Sequence, residues 1–208
     1  MNSKTSLTQP VARRPGRPAV DRREEILDAA QRLYGEIGFD KTTIADIARD
    51  LGMSPANLYR SFPNRQAIDE AIAGRMLSGI EDRAWVEARK VRSVRESLPA
   101  LSLAVLDETR LRLISEQRAN HLCIVATRER WPVIAAYLQS LRGAVRHIIM
   151  DGQKSGELSQ GDPEVLADTV FAAMTQVWHP QMIEAFAHED LPATCERLSA
   201  LLIDGMKK

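Results

Sequence analysis

Between residues 21 and 80, apolar positions recur at the three- and four-residue spacing of amphipathic helices. A first helix is predicted from its N-cap Asp21, with Glu24 three residues later, to Gly38. The apolar face of this helix comprises Ile26, Ala29, Ala30, Leu33 and Ile37. The pattern therefore predicts that a helix packed on one face follows the polar residues at the start of the chain.

The second predicted helix is short. Thr43 and Asp46 form a capping signal for a helix over residues 43 to 51. Its apolar positions are Ile44, Ile47, Ala48 and Leu51. Gly52 then supplies a turn, because glycine adopts the backbone conformations that a sharp reversal needs.

A third and a fourth helix follow this turn. Ser54 as N-cap and Pro55 at the first helical position predict a helix over residues 55 to 61. Pro63 stops that helix, and Asn64 caps a fourth that should continue into the eighties. The first 80 residues thus predict three helices and the beginning of a long one.

The rest of the chain shows the same helical spacing of apolar residues. The pattern is interrupted at Pro132, the loop at 156 to 163, Pro180 and Pro192. No strand-like alternation competes with a helical interpretation. The fold class is therefore predicted to be all-α. The expected helices span residues 95 to 115, 117 to 128, 132 to 154, 163 to 178, 180 to 188 and 192 to 205.

Composition agrees with helix, since 44% of the 208 residues are hydrophobic but only 5% are aromatic. The 28 basic and 28 acidic residues cancel, so net charge by itself indicates no nucleic-acid partner. Residues 1 to 20, however, hold basic side chains and no acidic ones. This segment is predicted to be a flexible basic arm suited to phosphates or an acidic lipid surface.

Cysteine and histidine spacing argues against several kinds of site. Cys123 and Cys195 form no CxxC pair, which argues against a disulfide scaffold and a zinc site. His121 with Cys123, or His179 with His188, matches no recognised set of metal ligands. We expect no metal and no cofactor.

The N-terminus lacks the apolar run of a signal peptide, and no stretch of 18 apolar residues occurs in the sequence. We therefore expect a cytoplasmic protein without a membrane partner.

The helices predicted at 43 to 51 and 55 to 61 meet through a turn containing Gly52, which is the geometry of a helix-turn-helix. The second helix is short enough to enter a major groove about 12 Å wide. Double-stranded DNA is therefore the expected partner.

The segment TTIADIARDLGMSPANLYRSFPNRQAI resembles the helix-turn-helix of the TetR/AcrR family, including the Leu-Tyr pair and the Phe before the fourth helix. The resemblance covers residues 20 to 80. It implies a DNA-binding domain over residues 21 to 80, joined by helix 4 to a helical C-terminal domain over 81 to 208. In the family this second domain dimerises and encloses a small-molecule pocket, and ligand binding moves helix 4.

Position by position, the resemblance implies that Thr43, Tyr59 and Arg65 contact phosphates. The family usually has Lys where this chain has Arg65, which keeps the cation and can bind phosphate bidentately. Asn57 suits adenine N6 and N7, whereas Arg60 suits either the backbone or a guanine. The residues predicted to contact DNA at the start of the recognition helix are Ser54, Pro55, Ala56 and Asn57.

Arg13, Arg14 and Arg17 lie in a segment, RRPGRP, that is reminiscent of arms entering the minor groove of A·T-rich DNA. We hypothesise a supporting role in DNA binding for these residues. A plain solvated tail is the alternative.

A single short recognition helix reaches few base pairs, so a homodimer with two heads about 34 Å apart on a pseudo-palindrome is expected. The helices at 163 to 178 and 192 to 205 are the candidate interface. A stripe of small residues could face the partner copy or belong to the core of one chain. This stripe consists of Leu166, Val170, Ala173 and Val177.

For the pocket that the resemblance implies, the candidates are aromatic and polarisable side chains, all of which also suit ordinary core. They are Trp131, Tyr137, His147, Phe171, Met174 and Trp178. The expected effector is a small apolar or amphipathic molecule.

No GxSxG, P-loop, GxGxxG or HExxH motif occurs, so we expect neither an enzyme nor catalytic residues. The sequence predicts a transcriptional repressor that a small molecule releases from its operator. Control by a protein partner, and activation instead of repression, stay open as alternatives. A closed apolar cavity in the dimer would favour a small effector, and a filled core with an exposed apolar patch would favour a protein partner.

Overall fold

The computed structural model describes residues 22–115 and 117–207, without the side chains of residues 117 to 120. Throughout these residues the regular structure is helical, which confirms the predicted all-α fold. The basic arm with Arg13, Arg14 and Arg17, and the predicted N-cap Asp21, lie outside the described residues. The helices are α1 (Arg22–Ile37), α2 (Ile44–Asp50), α3 (Pro55–Ser61), α4 (Arg65–Ala88), α5 (Val94–Thr109), a π-helical turn (Arg110–Ile114), α6 (Gln117–Arg128), α7 (Pro132–Ser155), α8 (Pro163–Ala173), α9 (Thr175–Trp178), α10 (Pro180–Ala185) and α11 (Leu191–Gly205).

The first three helices pack around a small apolar core. Ile26 of α1, Ile47 of α2 and Leu58 of α3 are fully buried, and Phe62 closes the core after α3. The sharp turn between α2 and α3 passes through Gly52, whose φ of +63° suits glycine. These contacts fix α3 against the other two helices.

Helix α4 belongs to both halves of the molecule. Its 24 residues span about 36 Å, and Asn64 caps it by accepting a hydrogen bond from the Ala67 N–H at 2.8 Å. The helix packs against α1 at one end and against α5 and α7 further along. Helix α4 therefore connects the C-terminal half directly with the first three helices.

The last turn of α4 buries Glu87, whose carboxylate is surrounded by cations. Lys90 and Arg92 approach it at 2.8 Å, and Arg83 at 3.4 Å. Burial acts to raise the pKa of Glu87, but the hydrogen bonds from Lys90 and Arg92 outweigh it and the pKa is lowered. Glu87 is therefore a paired, ionised group at neutral pH.

Two predicted helices are interrupted. The helix expected at 95 to 115 ends as the π-helical turn, where the Ser115 N–H donates to the Arg110 carbonyl at 3.0 Å. The helix expected at 163 to 178 breaks at Met174, which is fully buried with ψ near 1°. Neither break contains Gly or Pro, so tertiary packing has overridden the local pattern.

The predicted small-residue stripe lies largely inside the chain. Val170 and Val177 are buried, Leu166 is half-buried, and Ala173 is exposed. Val170 and Val177 therefore belong to the core of the chain, as the intrachain alternative predicts, whereas a role of Leu166 and Ala173 in an interface stays a prediction. The most exposed large apolar residue of α8 is Val165, at 60%.

Candidate functional site

The outer face of α3 is presented to solvent while its inner face is anchored. Leu58 and Phe62 are fully buried, and Arg23 of α1 stacks over the Phe62 ring at 4.1 Å and donates to the Ser61 carbonyl. Tyr59 is 50% exposed, and Arg60 is also exposed. A helix held in this way can meet a DNA groove without rearranging.

The predicted DNA contacts at the start of α3 lie together and are exposed: the N-cap Ser54 and the base-reading positions Pro55, Ala56 and Asn57. Ser54 occupies the N-cap position, but its hydroxyl makes no capping hydrogen bond within the described chain. Its donor and acceptor are thus available for an external partner. The roles of these residues on DNA stay predictions.

The N-terminus of α2 is closed by a local carboxylate. The Thr43 hydroxyl donates to Asp46 Oδ2 at 2.6 Å and accepts from the Asp46 N–H at 3.2 Å. The Thr43 N–H also donates to Asp46 Oδ2, and these bonds lower the pKa of Asp46. This confirms the predicted capping box. A phosphate at Thr43, which stays a prediction, would compete with that carboxylate.

Arg65 is engaged inside the protein. Its Nε donates to Asp69 Oδ1 at 2.8 Å, and its two Nη atoms donate to the carbonyls of Phe39, at 2.7 Å, and Thr42. The guanidinium also lies 4.9 Å from the centre of the Tyr34 ring. In this structure Arg65 therefore holds the loop between α1 and α2, whereas its predicted phosphate contact stays a prediction.

Asp69 is a buried acceptor that sequence reasoning missed. The Tyr34 hydroxyl and Arg65 both donate to its Oδ1. Burial raises the pKa of Asp69, and the hydrogen bonds from Arg65 and Tyr34 oppose that rise. The available signal was the spacing of Arg65 and Asp69, four residues apart on one helix.

The C-terminal half contains an apolar cavity of about 190 Å³. Tyr137, Phe171 and Trp178, three of the six predicted pocket residues, line it. Leu77 of α4 and Cys123 of α6 add walls from two other elements, and burial raises the pKa of the Cys123 thiol to about 12. The remaining lining residues are Leu113, Thr127, Ile134, Leu138, Leu141, Thr175, His179 and Pro180.

The other three predicted pocket residues lie away from this lining. Trp131 is buried, and its indole N–H donates to Glu129 at 3.1 Å. Met174 is buried in contact with Ser102. His147 packs against Trp85, with ring centres 6.0 Å apart. Their aromatic or polarisable character reflects packing elsewhere in the domain.

Sequence reasoning missed the polar members of the lining. Thr127 follows Cys123 by four residues, and Thr175 follows Phe171 by four. Such spacing places each pair on one side of the chain where it is helical, but it equally describes ordinary core. The four-residue spacing was therefore visible in the sequence, but it did not distinguish a cavity lining from ordinary core.

Helix α6 connects the cavity with the DNA-binding half. Cys123 and Thr127 line the cavity, while His121 Nδ1 lies 3.1 Å from Asp40 Oδ2 in the loop between α1 and α2. The His121 ring also meets the edge of Phe39, with centres 5.6 Å apart. The loop that Arg65 holds from α4 is thus contacted from α6 as well.

Across residues 22–115 and 117–207, no helix is long and apolar enough to span a membrane. The same residues contain no group of three or more His, Cys, Asp or Glu side chains placed to hold a metal ion.

Two family profiles match the chain. The profile described as "Bacterial regulatory proteins, tetR family" matches residues 26–72. The profile "Tetracyclin repressor-like, C-terminal domain" matches residues 95–199. The two matches cover the helix-turn-helix and the half of the molecule that holds the cavity.

Individual relatives agree with these profiles. The uncharacterized HTH-type transcriptional regulator YhgD of Bacillus subtilis is 22% identical over 149 residues, which are 72% of this chain and 78% of that protein. The HTH-type transcriptional repressor KstR2 of Rhodococcus jostii is 32% identical over 127 residues, 53% of this chain and 61% of the relative.

A solved structure shares the fold. The transcriptional regulator FadR from Bacillus subtilis, in complex with stearoyl-CoA, superposes with a TM-score of 0.61 at 20% identity, over 88% of this chain and 98% of that one. At 20% sequence identity, this similarity shows that the two proteins share a fold. The family profiles identify the chain, which belongs to the TetR family of bacterial transcriptional regulators, whose helix-turn-helix binds DNA.

Proposed function

We propose that the protein is a dimeric repressor that binds a pseudo-palindromic operator through α3 and leaves it when a small molecule enters the cavity. The observation that carries this proposal is that an apolar cavity is lined both by α4 and by α6, and that both helices also contact the loop before α2. An apolar cavity favours a small effector over control by a protein partner.

The proposed route of the signal runs along α4. Leu77 lines the cavity and lies about 18 Å along this helix from Arg65. Arg65 in turn holds the carbonyls of Phe39 and Thr42. An occupant that displaces Leu77 tilts α4, and Arg65 passes that tilt to the loop that leads into α2 and α3. The DNA-binding domains of the two protomers must lie about 34 Å apart to bind the operator, so this movement weakens binding.

The proposed dimer contact uses the outward faces of α8 and α11. Val165 of α8 and Leu201 of α11 are 60% and 70% exposed, and they lie on the two helices that the sequence predicts as the interface, which is why we place them against a partner copy. Val165→Glu and Leu201→Glu should convert a dimer to a monomer in analytical ultracentrifugation. Val91→Glu, at another exposed valine, is the matched control and should remain dimeric. A dimer that survives both changes would contradict this interface.

We infer binding rather than catalysis at the cavity, because its lining is mainly apolar and the Cys123 thiol has a raised pKa, which keeps it protonated at neutral pH. Since operator DNA is the proposed ligand of α3, the site of action that we propose is the cytoplasm.

The decisive experiment is selection of bound sequences from a random duplex library, followed by a reporter gene placed behind the selected site. We expect a pseudo-palindromic consensus with half-sites about one helical turn apart and a reporter that is repressed. A reporter that is activated would replace the repressor assignment. A library without enrichment would contradict operator binding by the free protein.

A further inference from the structure

The apolar cavity adjoins a second, more polar depression of about 310 Å³. Cys123, Thr127, His179 and Pro180 line both volumes, so the two lie side by side. The depression adds Ile124, Arg128 and Gln181 to this shared lining. We call it the mouth. Together the two volumes reach the usual size of a small-molecule site, about 300–1,000 Å³.

His179 lies where the cavity and the mouth meet. Its Nδ1 atom is buried and has no hydrogen-bond partner among the residues that the structure describes. Buried polar atoms in native proteins nearly always have a partner. Burial also lowers the pKa of His179, so the ring is neutral at physiological pH and can donate or accept one hydrogen bond at Nδ1. A polar ligand atom that reaches this residue would supply the partner that Nδ1 lacks.

The charge at the mouth comes from Arg128. Its side chain is 72% exposed, and Arg128 Nη2 lies 3.6 Å from Glu129 Oε1, a surface contact that leaves further N–H groups to donate. Among the described residues that line the mouth, Arg128 is a cation and none is a carboxylate. Gln181 adds an exposed amide. This set suits an anionic head group better than a cationic one.

The cavity behind the mouth limits the apolar part of the ligand. An engineered apolar cavity of about 150 Å³ holds a benzene molecule. The 190 Å³ cavity therefore fits a ring or a short branched chain, but not the extended chain of a long fatty acid. The size distinguishes the expected ligand from the stearoyl-CoA present in the FadR structure.

We propose that the effector is a carboxylic acid with a compact apolar body, which fills the cavity while its carboxylate meets Arg128 and His179 at the mouth. This inference rests on the proposed function, because it names the ligand class of the same cavity. It assigns Arg128 and His179 to head-group recognition, and Phe171 and Trp178 to the body of the ligand.

Isothermal titration calorimetry on the full chain tests the assignment with three probes: 4-phenylbutanoate, its uncharged amide, and stearoyl-CoA. We expect the acid to bind at least about tenfold more tightly than the amide, and stearoyl-CoA not to bind. Arg128→Gln should weaken binding of the acid about tenfold and leave the amide unchanged. Arg130→Gln, an exposed arginine outside the lining, is the matched control and should change neither.

Equal binding of acid and amide, or equal loss in both arginine variants, would overturn the head-group assignment. If stearoyl-CoA binds and 4-phenylbutanoate does not, the proposal that the ligand has a compact apolar body is wrong. The same conclusion follows if none of the three probes binds.

Titrating the acid into the protein bound to its selected operator separates the two proposals. Release of the DNA supports both. An acid that binds through Arg128 without releasing the operator leaves this site standing and contradicts the proposed repressor mechanism.

Discussion

Replacing Arg65 with alanine separates a residue that positions the DNA-binding helices from one that neutralises a phosphate. The side chain of Arg65 is 27% exposed and that of Asp69 is 8% exposed. Removing the guanidinium leaves the Asp69 carboxylate with Tyr34 alone and frees the carbonyls of Phe39 and Thr42. Breaking a buried ion pair costs about 3–5 kcal/mol. Because Arg65 keeps some contact with water, we expect the free energy of unfolding to fall by about 2–3 kcal/mol.

The assay pairs urea unfolding at fixed protein concentration with operator titrations over a range of salt. Each phosphate contact that is lost lowers the slope of log K against log salt by about 0.9. We expect Arg65→Ala to weaken operator binding without changing this slope. Arg60→Ala removes an exposed cation of α3 and serves as the control. It should flatten the slope and change the stability by less than about 0.5 kcal/mol.

A slope that falls by about 0.9 or more in Arg65→Ala, with stability unchanged, would refute the positioning role. That outcome would mean that the guanidinium turns outward on DNA, as the family resemblance implies. Arg65→Lys refines the test, because lysine keeps the positive charge but lacks the planar guanidinium group that donates to several acceptors at once. We expect the lysine variant to retain the slope and lose part of the stability.

Three further changes test other parts of the molecule. Asn57→Ala should cost about 1–3 kcal/mol at one base pair of each half-site and relax specificity there, whereas equal loss on every DNA sequence would exclude base reading. Because the pKa of Glu87 is lowered in the folded state, its stabilisation is present above its ordinary pKa of 4.5 and is lost as the pH falls through the folded value. Glu87→Gln should therefore destabilise by about 1–2 kcal/mol in urea at pH 7 and progressively less below pH 4.5, and a pH-independent deficit would contradict this. Gly152→Ala should lower the thermal midpoint, because its Cβ would overlap Val94, whereas Gly35→Ala, where the Cβ meets no described atom within 4 Å, should raise it.

The DNA-binding head could be predicted from sequence because its signals are local. The cap at Thr43, the turn at Gly52 and the proline at the start of α3 each act within a few residues of the structure that they determine. The position of Arg65 at the N-terminus of α4 was predicted correctly, but its hydrogen bonds to Phe39 and Thr42 were not foreseen. Those hydrogen bonds depend on groups more than twenty residues away, whose proximity no spacing rule provides.

The effector cavity was harder to predict for the same reason. Its walls bring Leu77 together with residues as distant as Pro180, and no periodicity links positions on helices that meet only in the folded chain. The prediction selected aromatic residues, and some of them, such as Phe171 and Trp178, do line the cavity. Large rings occur both in cavity walls and in ordinary cores, so this rule alone does not distinguish the two. The same rule chose Met174, whose buried position at the break after α8 followed from packing and not from local propensity.

Both helices that line the cavity and face the DNA-binding half, α4 and α6, contact the loop between α1 and α2. Helix α4 reaches it through Arg65 and the carbonyls of Phe39 and Thr42, and α6 reaches it through His121 and Asp40. The α4 contacts are partly buried, whereas the His121 contact is exposed, which makes it sensitive to salt and weak. In the proposed mechanism an occupant of the cavity would therefore act mainly through α4, and the contact from α6 would contribute less.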